Sequence, residues 1–200
     1  MKRSIPLLIV AALMVTAVPS FAQTVDASKA THSQDVQTKM RKVDLLLQIM
    51  PLVLRKDQFP PILAELERIR AKQAEVLSRE DDEIIKLEAK LDEALKKAND
   101  DGIYPSRDLQ LECFKLTRAL GTVRNMARTD FASQLYKVVD TVFDKGQKAI
   151  AAKSLDWKLF DPSLKLDEKP QEDQIKFYLK LVLLDPLAYD VLVDLNKQSK

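Results

Sequence analysis

Only a few side chains in this 200-residue sequence have the types and spacing that could carry chemistry. They are the single cysteine, Cys113, the single histidine, His32, and the acidic run from Glu80 to Glu83. Consecutive residues of a helix point about 100° apart, so these four neighbouring carboxylates cannot converge on one cation. A lone histidine cannot build a metal cage, and the polar stretch around His32 predicts a solvated tail residue. We therefore predict no metal site from these groups.

The turn that ends at Gly102 is another place where oxygen ligands gather, in the sequence Asn-Asp-Asp-Gly. A calcium-binding loop with Gly102 at its sixth position would put Lys97 first, where a carboxylate is required. The better interpretation is a hairpin turn with exposed acidic side chains. We predict that the protein holds no metal and no cofactor.

Cys113 falls at a core position of an apolar helical stripe. A reactive thiol requires an electropositive, partly exposed setting, whereas a thiol within such a stripe behaves as a small buried hydrophobe. We favour the buried role. If the thiol is exposed instead, it could form an intermolecular disulfide in an oxidising compartment.

The composition argues against enzymatic function. Three glycines are too few for phosphate-cradling loops, and no Gly-x-x-x-x-Gly-Lys-Ser/Thr sequence is present. Pairs of carboxylates are abundant, but cations lie beside them, as expected on exposed helix faces. We predict no catalytic residues and interpret the chain as a non-enzymatic protein.

Residues 1–22 have the three parts of a secretory signal peptide. Lys2 and Arg3 form a charged start, an apolar run follows from Ile5 to Val18, and small residues precede a cleavage site before Gln23. The run is shorter than the roughly 20 residues that a membrane-spanning helix needs. We expect a periplasmic or secreted protein with no stable membrane insertion after cleavage.

The charge balance changes when the signal peptide is removed. The whole chain has 32 basic and 30 acidic residues, and Lys2 and Arg3 account for the whole difference. The mature chain is therefore neutral, which gives no general attraction to nucleic acid or anionic lipid. Nucleic acid is not a predicted partner.

Any site must be positioned by helices, because no segment shows the alternation of a β-strand. Residues 23–35 are small and polar and predict a disordered leader. Residues 36–54 predict a helix that is apolar on more than one side, and Pro51 should kink it or end its regular hydrogen bonding. A single helical domain is expected over residues 36–200.

Two long helices are predicted next, over residues 57–99 and 106–148. Asp57 can cap the first, because Pro60 and Pro61 then fall in its first turn, where a missing N–H costs little. The six residues between the helices are too few for anything but an antiparallel hairpin.

The apolar stripes of the hairpin indicate a coiled-coil-like seam. The stripe of the first helix shifts phase by one residue near Ser78–Asp81, which resembles a capping box, so a bend or restart is expected there. Ser106 caps the second helix. Its seam repeats at intervals of four and three residues through Leu109, Cys113, Leu116, Leu120, Val123 and Ala127.

The C-terminal part is predicted to contain shorter elements. Residues 153–170, with Trp157, Phe160 and two prolines, indicate an irregular packed connection. Residues 171–198 predict two short helices, the second beginning at Asp185 and Pro186. The predicted fold is all-α: a long antiparallel helical hairpin, a kinked N-terminal helix and short C-terminal helices.

The segment from Leu54 to Gln58, Leu-Arg-Lys-Asp-Gln, opens the first long helix. After a signal peptide, a polar leader and a first helix, it resembles the L-T-x-x-Q motif of small periplasmic helical proteins of the Spy/CpxP type. Leu54 and Gln58 match the motif, Arg55 replaces its threonine, and the chain from residue 153 is additional. The resemblance implies an all-helical cradle that binds unfolded clients without ATP or tunes an envelope-stress sensor.

We predict a binding protein of the cell envelope, either an ATP-independent chaperone or a stress-sensor adaptor, whose partner is a protein client or a sensor domain. The alternative is a structural protein that self-associates through the Leu109–Ala127 seam as a homo-oligomer. A binding surface needs apolar side chains with a charged rim. The predicted partner contacts, each of which could instead belong to the core, are Phe59, Ile62, Leu66, Phe177, Tyr178 and Leu181.

Overall fold

The computed structural model describes residues 27–156 and 162–198. The predicted signal peptide, and Trp157 and Phe160 of the predicted connection, lie outside the described residues. The chain divides into two units at residue 38, and the described part of each is taken by itself below. The described parts contain no β-strand, which confirms the all-α prediction. Their seven α-helices are α1 (Ala27–Ile49), α2 (Phe59–Ile85), α3 (Glu88–Asp101), α4 (Arg107–Val142), α5 (Lys145–Lys153), α6 (Gln171–Tyr178) and α7 (Ala188–Gln198).

The described part of the first unit is the start of α1. The prediction of a disordered leader over 23–35 is wrong from Ala27 onward, because α1 begins there. The composition suggested disorder, yet the segment contains no proline or glycine before Pro51, so nothing interrupts the helix. Its described side chains between His32 and Thr38 are all exposed.

In the second unit, Pro51 ends the first helix rather than kinking it. Helix α1 stops at Ile49 and a 3₁₀ turn follows over Met50–Leu52. Proline has no N–H to continue the helical ladder, and its ring crowds the preceding turn. Val53 then takes a left-handed conformation, with φ at 47°, and its N–H closes the turn on the Met50 carbonyl. The chain thereby reverses into α2.

The first long helix is divided into α2 and α3. The break lies at Lys86–Leu87, later than the expected restart near Ser78–Asp81. It absorbs the one-residue phase difference between the two apolar stripes, because Leu87 turns inward at the break and is buried. The chain therefore keeps an apolar face toward α4 on both sides of the break.

Helix α4 packs antiparallel against α2 and completes the predicted hairpin. The hydroxyl oxygen of Ser106 accepts a hydrogen bond from the Leu109 N–H at 3.2 Å, which confirms the predicted cap. The helix ends at Val142 rather than 148, and α5 begins after a new cap at Asp144.

The C-terminal helices return to the start of the hairpin. Two 3₁₀ turns, Pro162–Leu164 and Leu166–Glu168, precede α6, which continues as a π-helical segment over Leu179–Leu183. Asp185 then caps the approach to α7 by accepting the Leu187 N–H at 2.9 Å. Both predicted short helices are present.

The core of the second unit gathers at one end of the hairpin, which we call the base. It is formed by the end of α1, the start of α2, the end of α4, and α5 to α7. Residues 70–130, which we call the arm, contain only two buried side chains, Glu80 and Leu87. The arm is thus a long helical hairpin with almost no core of its own.

Candidate functional site

Most of the predicted partner contacts belong to the core. Phe59, Ile62, Leu66 and Tyr178 are each no more than 3% exposed, so they cannot form an accessible contact surface. They lie on the helix faces that meet inside the base, where apolar side chains of α2 and α6 fill the space between helices. This part of the prediction is corrected.

The other two predicted contacts are partly accessible. Phe177 and Leu181 are half-buried, and Leu181 packs against the core. Both sit on the C-terminal helices of the base. Their positions do not form a surface with the buried four.

Tyr178 has a structural role. Its hydroxyl donates a hydrogen bond to the Gln48 carbonyl oxygen at 3.0 Å, which ties α6 to α1. Burial raises the pKa of the phenol above its usual range, because the charged form would be desolvated. The side chain therefore stays neutral and holds two helices together.

Large apolar side chains are exposed along the arm instead. A monomeric protein rarely leaves a contiguous apolar surface exposed unless the surface binds something. The exposed apolar residues of the arm are Leu77, Ile84, Ile85, Leu91, Leu95, Ile103, Tyr104, Leu111, Phe114, Val123 and Met126.

Packing is also incomplete between the two sides of the arm, which are α2 with α3 and the first part of α4. A groove of about 520 Å³ runs between the α2–α3 junction and the first half of α4, and we call it the arm groove. Its volume is within the range of ligand-binding clefts. Its walls are formed by Ile84, Leu87, Leu91, Cys113, Leu116, Thr117, Leu120, Gly121 and Arg124.

Gly121 opens one wall of this groove. A Cβ atom built on Gly121 would meet no atom within 4 Å, so the glycine is not required by close packing. Glycine in a helix interior costs roughly 0.5–1 kcal/mol relative to alanine. The missing side chain widens the groove at a cost in helix stability.

The apolar surface continues from the arm groove toward the base. A second depression of about 260 Å³, the base depression, shares Arg124 with the arm groove. Val76, Leu77 and Phe131 form its apolar part, and Leu184 closes it at the base. The two depressions therefore follow one another along the hairpin with Arg124 between them, and together we call them the apolar path.

A buried ion pair crosses the arm between these depressions. The Arg124 Nε donates to Glu80 Oε2 at 2.6 Å, and the Glu80 side chain is only 3% exposed while that of Arg124 is 56% exposed. The second carboxylate oxygen, Oε1, is buried without a hydrogen-bond partner. Buried charges of this kind hold helices in one register but contribute little net stability.

Cys113 lies on the groove wall in a half-buried position and is a free thiol. The expected fully buried role is thus only partly realised. The thiol faces the space between the helices rather than the outside of the arm. The accessibility of the thiol to a reagent should therefore depend on whether the groove is filled.

Sequence reasoning missed a polar cluster in the base. Gln58 and Gln147 are both buried, and their amides hydrogen-bond each other. Each glutamine also accepts the N–H of a residue three positions earlier, Arg55 and Asp144 respectively. The Asp-x-x-Gln spacing at 144–147 is the signal of a capping box that could have revealed the second half of this cluster.

The described residues contain no group of three or more His, Cys, Asp or Glu side chains that could hold a metal ion. Within those same residues, no helix is long and apolar enough to cross a membrane. Comparisons with protein-family models, with curated proteins and with solved structures found no match.

Proposed function

We propose that this chain is an exported, non-enzymatic binding protein that holds protein clients along its arm without ATP. The observation that carries the proposal is the contrast between base and arm. The base buries a complete apolar core, whereas the arm buries only Glu80 and Leu87. Of the exposed large apolar side chains among the described residues of the second unit, eleven lie on the arm and seven elsewhere. The stability of the hairpin does not require these exposed apolar side chains, whereas binding of a partner would.

The groove fits a client protein better than a small molecule. Its lining is mostly apolar, and the base depression follows it along the hairpin on the other side of Arg124. A small-molecule site usually encloses its ligand and places a few polar groups around it. Apolar side chains of an unfolded or partly folded chain can fill such a groove with no fixed sequence.

The charges of the arm suit reversible binding. Ion pairs such as Lys90–Glu112 at 2.7 Å and Lys97–Glu93 at 2.7 Å border the hairpin near its turn. Exposed pairs of this kind contribute little stability, but they keep the apolar arm soluble and speed encounter with a charged partner. This mixed rim favours a chaperone or adaptor that must release its client.

The resemblance to Spy/CpxP-type proteins supports the same function. Gln58, one of its two matched residues, is a buried structural residue, and Phe143 to Gln147 repeats its layout of an apolar residue followed four positions later by glutamine. The two segments pack together in the base. We propose export on the basis of the signal-peptide sequence. N-terminal sequencing of the mature protein should give Gln23 as its first residue.

Binding of a permanently unfolded protein tests the proposal. Reduced, carboxamidomethylated α-lactalbumin should bind the wild-type chain and bind at least about tenfold more weakly to a Leu91→Gln, Leu120→Gln variant. A Lys137→Gln variant, changed at an exposed site outside the groove, is the matched control. Equal binding by all three chains, or none by the wild type, would contradict a client-binding arm.

Self-association is the second candidate. Leu111 and Phe114 are exposed, three residues apart on α4, so they share a face that does not line the arm groove. A second copy could cover this face. Sedimentation at micromolar concentrations distinguishes the two, because a monomer that still binds the unfolded probe supports the client-binding function alone.

A further inference from the structure

Two cations meet where the arm joins the base. The Arg128 Nη2 donates to the Lys180 carbonyl oxygen at 3.1 Å, so the guanidinium of α4 lies against the π-helical segment. The Lys180 Nζ donates to Asn125 Oδ1 at 2.7 Å and to Thr129 Oγ1 at 3.1 Å. These partners are all neutral oxygens.

Among the described residues, no carboxylate forms an ion pair with Arg128 or Lys180. Five of the twelve Arg and Lys residues of the arm do form an ion pair with a carboxylate, as Arg124 does with Glu80. Two like charges held together without a counter-charge raise the free energy of the site. An incoming carboxylate would lower it.

The ammonium group of Lys180 responds to this environment. Burial lowers its pKa below the ordinary range, and the neighbouring charge of Arg128 lowers it further. The group therefore lacks the stabilisation that a carboxylate partner would supply. This observation agrees with the geometry, in which only neutral acceptors surround it.

Arg128 connects the cation pair to the apolar path. It lines the base depression together with Leu77, Phe131 and Arg124, and Arg124 also lines the arm groove. Neither of these two lining sets contains an acidic residue. A segment seated along the path would therefore lie beside Arg124 and Arg128, and Arg128 in turn contacts the Lys180 carbonyl oxygen.

We propose that Arg128 and Lys180 form a carboxylate-binding site for an acidic residue of a protein segment whose apolar side chains occupy the groove. The inference rests on the proposed client-binding function and names the chemistry of the client: apolar and acidic. The forked guanidinium of Arg128 suits a carboxylate, because it can donate two parallel hydrogen bonds. Arg124 adds positive charge farther along the path while it stays paired with Glu80.

Two synthetic peptides test this selectivity. Both are about 18 residues long, or five helical turns, with one leucine face, and they differ only in carrying glutamate or glutamine beside that face. We expect the wild-type chain to bind the glutamate peptide about tenfold more tightly at low ionic strength. The preference should shrink as salt is added.

Removing the two charges should abolish the preference and keep the binding. The Arg128→Gln, Lys180→Gln variant should bind both peptides with the affinity that the wild type has for the glutamine peptide. Lys137→Gln should keep the full preference. Because the exchanged residues link α4 to the π-helical segment that continues α6, circular dichroism is used to check the fold. A single Arg128→Lys variant should retain part of the preference.

The outcomes separate the two proposals. Equal wild-type binding of both peptides would overturn the carboxylate site and leave client binding intact, as would a preference that survives the double substitution. A wild-type chain that binds neither peptide nor unfolded α-lactalbumin would overturn both proposals. Free acetate carries a carboxylate but no leucine face. If it bound the wild-type chain as tightly as the glutamate peptide does, a protein segment would be overturned as the occupant.

Discussion

Gln58 and Gln147 form a reciprocal pair of side-chain amide hydrogen bonds, each 2.9 Å long, in the buried base of the hairpin. Each amide oxygen also accepts an N–H at the start of its own helical segment. Each amide nitrogen donates in addition to a carbonyl before the other segment, from Gln58 to Val142 at 2.6 Å and from Gln147 to Leu52 at 3.0 Å. The starts of α2 and α5 are therefore fixed to each other.

This pairing predicts that Gln147→Leu destabilises the protein strongly. The substitution removes the side chain that bonds the Leu52 carbonyl and the Asp144 N–H, and it also removes both bonds to the Gln58 amide. Each buried group that loses its partner costs about 1–3 kcal/mol. We expect a loss of about 3 kcal/mol in the free energy of unfolding. Urea denaturation monitored by circular dichroism measures it.

The double variant Gln58→Leu, Gln147→Leu should lose less than the sum of the two single variants, because each single change already breaks the two bonds that the amides share. Gln110→Leu, at an exposed position, should change stability by less than about 0.5 kcal/mol. Additive losses from the two buried glutamines would contradict the reciprocal bond.

The ion pair of the arm predicts an asymmetry between its partners. Arg124→Gln leaves the buried Glu80 carboxylate without its cation and should cost about 3 kcal/mol. Glu80→Leu leaves an arginine that is already half exposed and can reach water, so we expect a much smaller loss. Thermal denaturation compares the two, and an equal loss from both would argue against a buried carboxylate.

Gly121 should separate stability from binding. Gly121→Ala adds a Cβ into open space and should raise the free energy of unfolding by about 0.5–1 kcal/mol. Gly121→Leu keeps the helical gain and fills the arm groove. Isothermal titration with unfolded α-lactalbumin should therefore show weaker binding for the leucine variant than for the alanine variant, whereas equal binding would place the client elsewhere.

Asp144 predicts a dependence of stability on acidity. The backbone N–H of Gln147 donates to its carboxylate at 2.9 Å and, with the Gly146 N–H and the Arg55 charge, lowers its pKa below the ordinary 3.8. Because the pKa of Asp144 is lower in the folded state, its ionised carboxylate stabilises the fold at pH values above the pKa of the unfolded state. That contribution is lost as the pH falls through the folded pKa.

The Asp144→Asn variant retains an acceptor at the cap but cannot titrate. Wild type should exceed it in melting temperature at about pH 6, and the difference should shrink as the pH falls through the folded pKa of Asp144. Melting curves across this range measure the difference. A constant difference at every pH would mean that the carboxylate charge has no part in the cap.

The sequence predicted the hairpin because the seam of α4 repeats at helical intervals and Ser106 marks its start. It placed the restart of the first long helix near Ser78, whereas Leu87 carries the turn. The local capping signal was present, but burial of Leu87 against α4 decides where the phase shift is absorbed. Tertiary packing of this kind is not encoded in a single helix.

Four of the six side chains that the sequence offered as partner contacts lie in the core instead. Apolar side chains on an amphipathic helix look the same whether they face a core or a client, so Ile62 and Tyr178 could not be distinguished from Leu91 and Leu120 by pattern. The deciding factor is the C-terminal helices, which cover the start of α2 and leave the arm uncovered. The long-range contacts of α6 and α7 are visible only in the fold.

The most direct test of the client-binding arm uses Cys113, the only cysteine of the chain and a residue of the groove wall. Its rate of alkylation by a maleimide should fall when reduced, carboxamidomethylated α-lactalbumin is added, because a client in the groove covers the thiol. The Cys113→Ser, Lys137→Cys variant moves the thiol to an exposed position outside the groove, and its rate should stay unchanged. A Cys113 rate that does not respond while the probe is bound would contradict the account.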